Sequence, residues 1–171
     1  MANGRGIAPY GSSVVAFMSA YKHMSSAWKK PGKTYVGDLM RREIVRWRRE
    51  PSVKRIAKPT RIDKARRLGY KAKQGYVVVR VKVRRGGARK VRPKSGRRQK
   101  ALGVTKYTRG VSLKEIAQAR AARRFVNLLP LNTYWVWEDG RDAWFEVVMV
   151  DPEHPVVKAD RSLSKLSLVK S

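Results

Sequence analysis

Between Ser52 and Lys100 the chain carries 20 Lys+Arg and a single acid, Asp63. A run with that balance repels itself, because the acids that would pair with its cations are missing from it, and the partner it calls for is a polyanion. Over the whole chain of 171 residues, 41 Lys+Arg stand against 12 Asp+Glu for a net charge of +29. The excess is segregated. From Asn127 to Asp151, Arg141 alone opposes Glu138, Asp139, Asp142, Glu146 and Asp151. With 5 Trp, 7 Tyr and 3 Phe in a hydrophobic fraction of 42%, the chain is too apolar for a wholly disordered basic tail. A folded body with cationic extensions is expected, and an ordinary metabolic enzyme is disfavoured.

The body is legible in the periodicities. Val77, Val79, Val81 and Val83 alternate with Tyr76, Val78, Arg80, Lys82 and Arg84, which predicts a strand from Tyr76 to Arg84 with its valines toward a core and its other face offering an aromatic ring and three cations. Asn132 to Trp137 and Ala143 to Val150 are β-branched and aromatic runs joined by Glu138-Asp139-Gly140-Arg141-Asp142, a hairpin with a glycine-bearing loop. Trp135, Trp137 and Trp144 read as packing partners, since acids so close would repel phosphates.

Three helices are predicted. One is capped at Ser12 or Ser13 and carries Val14, Phe17, Met18, Tyr21, Met24 and Trp28 on one face, ending before Pro31-Gly32. A second opens at Thr34 or Asp38, with Val36, Leu39, Met40, Ile44 and Trp47 inward and Arg41, Arg42, Arg46, Arg48 and Arg49 elsewhere, and Pro51 stops it. The third runs from Leu113 to Val126 behind the capping-box pattern Ser112-Leu113-Lys114-Glu115. Ile56 to Gln74 has little periodicity and reads as an extended basic connector that orders only against its partner. Arg85 to Arg98 is broken by glycine and proline, and its composition suits threading between phosphates.

Motifs for chemistry are sparse. There is no cysteine, and His23 and His154 are the only histidines, too few for a His-based zinc site without several carboxylates. Gly32-Lys33-Thr34 resembles the end of a phosphate-binding loop, but Ala27 stands where the first glycine belongs and no strand precedes it. A two-metal nuclease would want acids facing its basic groove, whereas these acids lie in the least basic segment. No apolar run approaches a membrane span. Neither a cofactor nor a metal is expected.

The segment from Pro59 to Val78, PTRIDKARRLGYKAKQGYVV, followed by Arg84-Arg85-Gly86-Gly87, closely resembles the L-fifteen-e family of large-subunit ribosomal proteins of archaea and eukaryotes. Ser19-Ala20-Tyr21-Lys22 with Trp28, Leu131 to Val136, and Phe145-Glu146-Val147 through Asp151-Pro152 and His154 extend the match to about Met18 to Val157. The resemblance implies a non-catalytic protein that binds large-subunit ribosomal RNA (rRNA) beside neighbouring ribosomal proteins in the cytoplasmic ribosome, with no membrane and no small-molecule substrate. It also suggests Met18 as an alternative start and, because the family continues into a Gly-rich basic tail, a truncated or divergent segment at 158–171.

The expected architecture is therefore α+β, a small antiparallel sheet covered by helices, with long basic extensions that order on RNA. Residues 1–17 form an N-terminal extension, 18–157 a single domain with basic arms at about 52–75 and 85–110, and 158–171 a divergent C-terminal segment. The expected phosphate contacts are Arg61, Lys64, Arg66, Arg67, Lys71, Lys73, Arg84, Arg85, Arg89, Arg92, Arg97 and Arg98. Tyr70 and Tyr76 are candidates for stacking on a base or ribose, with packing as the alternative. Two other classes share the charge argument: a DNA-compacting chromatin protein and an RNA-processing enzyme that binds through the same arms.

Overall fold

The computed structural model describes residues 19–88, 90–104, 108–160 and 163. The N-terminal extension, the predicted cap at Ser12 or Ser13, Met18, Arg89 and most of the segment after Asp160 lie outside these. Helix α1 (Ala20–Ala27) follows Ser19, and a three-residue turn at Pro31–Lys33 leads into α2 (Tyr35–Arg49). Glu50, held extended ahead of Pro51, ends α2. Strand β1 (Val53–Ile56), α3 (Ile62–Arg67) and β2 (Tyr76–Arg84) follow. After the basic loop come α4 (Leu113–Arg124), β3 (Leu129–Glu138), β4 (Asp142–Val150) and the single turn α5 (Pro155–Lys158).

The four strands form one sheet in the order β1-β2-β4-β3, each neighbour antiparallel. The architecture is α+β, with helices on both faces. Odd-numbered residues of β2 point one way: Val79, Val81 and Val83 pack with Phe145, Val147 and Met149 under Ala117 and Ala121 of α4. Alanine at both contact positions lets α4 lie close to the valines. Its N-terminus carries the predicted capping box, in which the Ser112 hydroxyl accepts from the Glu115 amide at 3.2 Å and the Glu115 carboxylate accepts from the Ser112 amide at 3.1 Å. Pro130 is tolerated because β3 is an edge strand.

The opposite face corrects an expectation. It does not present a ring and three cations to the outside, because Val36, Met40, Ile44 and Trp47 of α2 and Ala65 of α3 cover it, packing on Val148, Trp144, Tyr134 and Val136. Arg80 is not on the exterior but buried there. Its guanidinium lies 3.8 Å from the Trp47 ring centre and pairs with Glu50 and Glu146, each at 3.5 Å.

The segment read as an extended connector is also part of the body. Residues 53–56 pair with β2 in register from Val53 opposite Val81 to Ile56 opposite Val78. Ile62–Arg67 is helical, with Asp63 and Ala65 buried. What anchors it is Glu146, fully buried at the centre of β4, which accepts from the Thr60 amide at 3.0 Å, the Thr60 hydroxyl at 2.5 Å and the Tyr134 hydroxyl at 2.6 Å. Burial drives the Tyr134 hydroxyl pKa far above its ordinary value, and the adjacent carboxylate adds to the shift, so the phenol stays a donor. Gly75 closes the segment at φ +83, where a Cβ would meet the Val157 side chain at 2.5 Å.

Candidate nucleic-acid interface

Two kinds of cation emerge once the body is assembled. The first kind is tied down by the protein itself. Arg61 is half-buried, its guanidinium 4.5 Å over the Trp28 ring and bonded to the Trp135 carbonyl at 3.3 Å. Burial lowers its pKa, and nearby Asp63 works against that shift. Arg66 lies over Tyr21, its centre 5.3 Å from the ring, and bonds the hydroxyl. Arg67 reaches Ser25 at 2.9 Å and Asp63 at 3.4 Å. The hydrogen bond from Lys71 to Asp160 raises the lysine pKa. Arg85 pairs with Glu138 at 3.1 Å and donates to the Asp139 carbonyl at 2.6 Å.

The acids of the β3–β4 turn therefore do specific work. Besides receiving Arg85 they hold Arg48, which meets Asp139 at 2.9 Å. Burial works to raise the Asp139 pKa, but donation from the amides of Asp142 and Arg141 and from Arg48 outweighs it and holds the carboxyl below its ordinary value.

The second kind has no carboxylate partner among the described residues. Lys64, Lys73, Arg84, Lys90, Arg92, Lys94, Arg97, Arg98 and Lys100 belong to it. Arg92 and Arg97 donate only to loop carbonyls, of Leu102 and Ser95. Six of these nine lie between Lys90 and Lys100, in the loop that leaves the sheet at the end of β2. The loop turns through positive φ at Gly86 and Gly96, a conformation glycine adopts without steric cost. Apart from one three-residue turn at Gln99–Ala101 it has no helix or strand among the described residues.

Of the two stacking candidates, Tyr76 is corrected: its ring is buried against Val150 and Val157, and its hydroxyl bonds Asp160 at 3.3 Å. Burial raises that hydroxyl's pKa as well. Tyr70 packs, half-buried, between two core clusters. The expected residues thus come from separate stretches of the fold. Arg61, Lys64, Arg66 and Arg67 lie in or beside α3, Arg84 ends β2, and Arg85, Arg92, Arg97 and Arg98 belong to the loop after it.

Sequence reasoning left out a further group. Arg120, Arg123 and Arg124, on the exposed side of α4, border with Ser52 and Val53 a pocket of about 310 Å³. Their three- and four-residue spacing, flanking the stripe of Ala117 and Ala121, was the available signal. Another pocket, of about 430 Å³, lies beside α3 and is lined by Tyr21, Lys22, Ser25, Ser26, Lys29 and Arg67. Among the described residues no helix is long and apolar enough to cross a membrane.

A profile of the family described as ribosomal L15 matches residues 19–170. A protein of the archaeon Methanocella arvoryzae named large ribosomal subunit protein eL15 is 50% identical over 146 residues, which span 85% of this chain and 74% of that protein.

Proposed function

This chain belongs to the ribosomal L15 family and is a structural constituent of the large ribosomal subunit, and on that premise we propose that it holds folded rRNA chiefly through the unpaired cations of the loop after β2. The observation that carries this reading is the contrast in pairing. Arg66, Arg67, Lys71 and Arg85 already have partners within the chain, whereas Arg84, Lys90, Arg92, Lys94, Arg97, Arg98 and Lys100 have no carboxylate partner among the described residues. Cations left without acids in a folded protein are available to neutralise phosphates and release their counterions.

In this reading residues 18–157 are one domain with a single basic arm at about 85–110, and 52–75 belongs to the body. Arg89 falls within that arm. Lys64 and Lys73 add phosphate contacts from the body. Arg61, Arg66, Arg67, Lys71 and Arg85 act first as internal ties that set the surface around them. The protein works on the ribosome in the cytoplasm, beside other large-subunit proteins, by binding and without catalysis.

The test replaces Arg84, Arg92, Arg97 and Arg98 together by Gln and measures binding to large-subunit rRNA as salt is varied. Each lost phosphate contact removes about 0.7–0.9 from the slope of log affinity against log salt, so the variant's slope should be shallower by about 3. Circular dichroism should be unchanged, because none of the four packs in the core. An unchanged slope refutes the assignment of the loop.

A further inference from the structure

Between Trp28 and Tyr35 the chain reads Lys29-Lys30-Pro31-Gly32-Lys33-Thr34, a turn with three cations and no acid. Thr34 pins the turn, its hydroxyl donating to the Ala27 carbonyl at 3.0 Å. Gly37 lets it lie against α2, since a Cβ there would meet the Pro31 carbonyl oxygen at 2.8 Å. The two aromatic residues that flank the turn, Trp28 and Tyr35, thereby share one pocket of about 210 Å³ with Met24 of α1, Leu39 and Met40 of α2 and Asp63 of α3. Lys29, Lys30 and Lys33 are exposed on the turn that joins the two rings and have no carboxylate partner among the described residues.

This pocket differs in kind from those beside α3 and α4. They are lined by lysine and arginine, whereas the only charged residue lining this one is Asp63. The Asp63 side chain is 1% exposed. Its Oδ2 takes a 3.4 Å bond from Arg67, and its Oδ1 has no hydrogen-bond partner among the described residues. A buried carboxylate oxygen without a donor is costly, so the pocket lacks a donor that a ligand would bring. Phosphate is excluded as that ligand, because a carboxylate only accepts. A cation is disfavoured too: Arg67 already meets Asp63, and the Arg61 guanidinium already lies 4.5 Å over the Trp28 ring. What fits is a neutral, flat group that carries a donor. The volume lies below the range of drug-sized pockets and suits a single heterocycle.

We propose that the pocket holds one unstacked RNA base, its ring against Trp28 and Tyr35, its exocyclic amino group donating to Asp63 Oδ1, and its phosphates met by the lysines of the turn. Adenine, cytosine and guanine carry such a group. Uracil does not, and its carbonyl oxygens would face the carboxylate. This rests on the RNA-binding role above and adds to it a contact that reads a base.

The test follows methyl-labelled methionines of the full chain by NMR. Met24 and Met40 line the pocket, and Met149 packs under α4 on the other face of the sheet as an internal control. Cytidine and adenosine, which carry no phosphate, should shift the Met24 and Met40 methyls saturably and leave Met149 in place. Uridine should bind at least about tenfold more weakly, the effect of one hydrogen bond to a charged group. Tyr35→Ala should weaken cytidine binding by about fivefold or more and, the side chain being 67% exposed, should leave Met149 unmoved. Asp63→Asn offers both a donor and an acceptor and should bring the affinities for cytidine and uridine together. Lys30→Gln with Lys33→Gln should leave cytidine binding unchanged and weaken that of cytidine monophosphate. On large-subunit rRNA the wild type should protect one unpaired adenine or cytosine from dimethyl sulfate, or one guanine from kethoxal, and Tyr35→Ala should restore its reactivity. Equal shifts from uridine and cytidine overturn the base assignment. Shifts from p-cresol but from no nucleoside overturn it in favour of a partner protein's tyrosine. A modification pattern that Tyr35→Ala leaves unchanged, on RNA the protein still binds, overturns the pocket while the RNA-binding role stands. Failure of the wild type to bind the rRNA overturns that role, and the pocket with it.

Discussion

Replacing Glu146 by Leu removes the acceptor on which four groups converge. In the native fold the Thr60 hydroxyl, the Thr60 amide and the Tyr134 hydroxyl lie 2.5, 3.0 and 2.6 Å from its carboxylate, and Arg80 lies at 3.5 Å. Glu146 is completely buried, so water cannot take its place. Breaking a buried ion pair from one side costs about 3–5 kcal/mol, and a stranded buried hydroxyl such as that of Tyr134 adds about 1–3 kcal/mol. Arg80 keeps Glu50 and the Trp47 ring, and Leu contributes apolar contact, both of which offset part of the loss. A net destabilisation of about 3–5 kcal/mol remains, equivalent for a chain of this size to a fall in Tm of about 6–20 °C. Glu146→Gln retains an acceptor oxygen but turns an NH₂ toward donors, so it should fall between wild type and Leu. Urea unfolding followed by tryptophan fluorescence is a suitable assay, because Trp47 and Trp144 sit together at 6.2 Å beside the network. A loss under about 1 kcal/mol for the Leu variant, or equal losses for Leu and Gln, would refute the claim that this carboxylate anchors the segment before α3.

Gly75→Ala should destabilise the protein by about 1–3 kcal/mol from backbone strain alone, with a further loss from the 2.5 Å clash with Val157. Thermal unfolding reads both, and a neutral result would contradict the positive φ. Ala121→Leu forces a large side chain between α4 and the valines of β2 and should cost about 1–3 kcal/mol by overpacking, seen as a lower urea midpoint. The Asp139 carboxyl is held below its ordinary value of 3.8, so its bonds contribute stability that is present above that value and lost as pH falls through the lowered one. Asp139→Asn should therefore lower Tm near neutrality, and the gap to wild type should close below about pH 4. A gap that stays constant with pH would count against the carboxylate's charge as the cause.

What the sequence determined by itself is whatever rests on neighbours along the chain. The valine alternation of β2, the turn between β3 and β4, the capping box of α4 and the apolar stripe of α2 are each complete within one or two dozen residues, and each stands in the structure at or within a few residues of its predicted place, except that Leu39, predicted inward with the α2 stripe, is exposed. The motif from Pro59 to Val78 was likewise enough to indicate the family. The tertiary structure alone decided which cations are free. Counted within its own window the run from Ser52 to Lys100 has one acid, yet its first half folds against acids far away in the chain: Glu146 is 86 residues from Thr60 and 66 from Arg80, and Asp160 is 89 from Lys71. β1 was hidden for the same reason, since Val53 and Ile56 flank two cations with no alternation and become a strand only by pairing with β2. Charge along a sequence is a local sum, whereas its neutralisation depends on which elements the sheet brings together. That is why composition could name a polyanion as partner while only the fold could separate the cations left for it from those the protein uses to hold itself together.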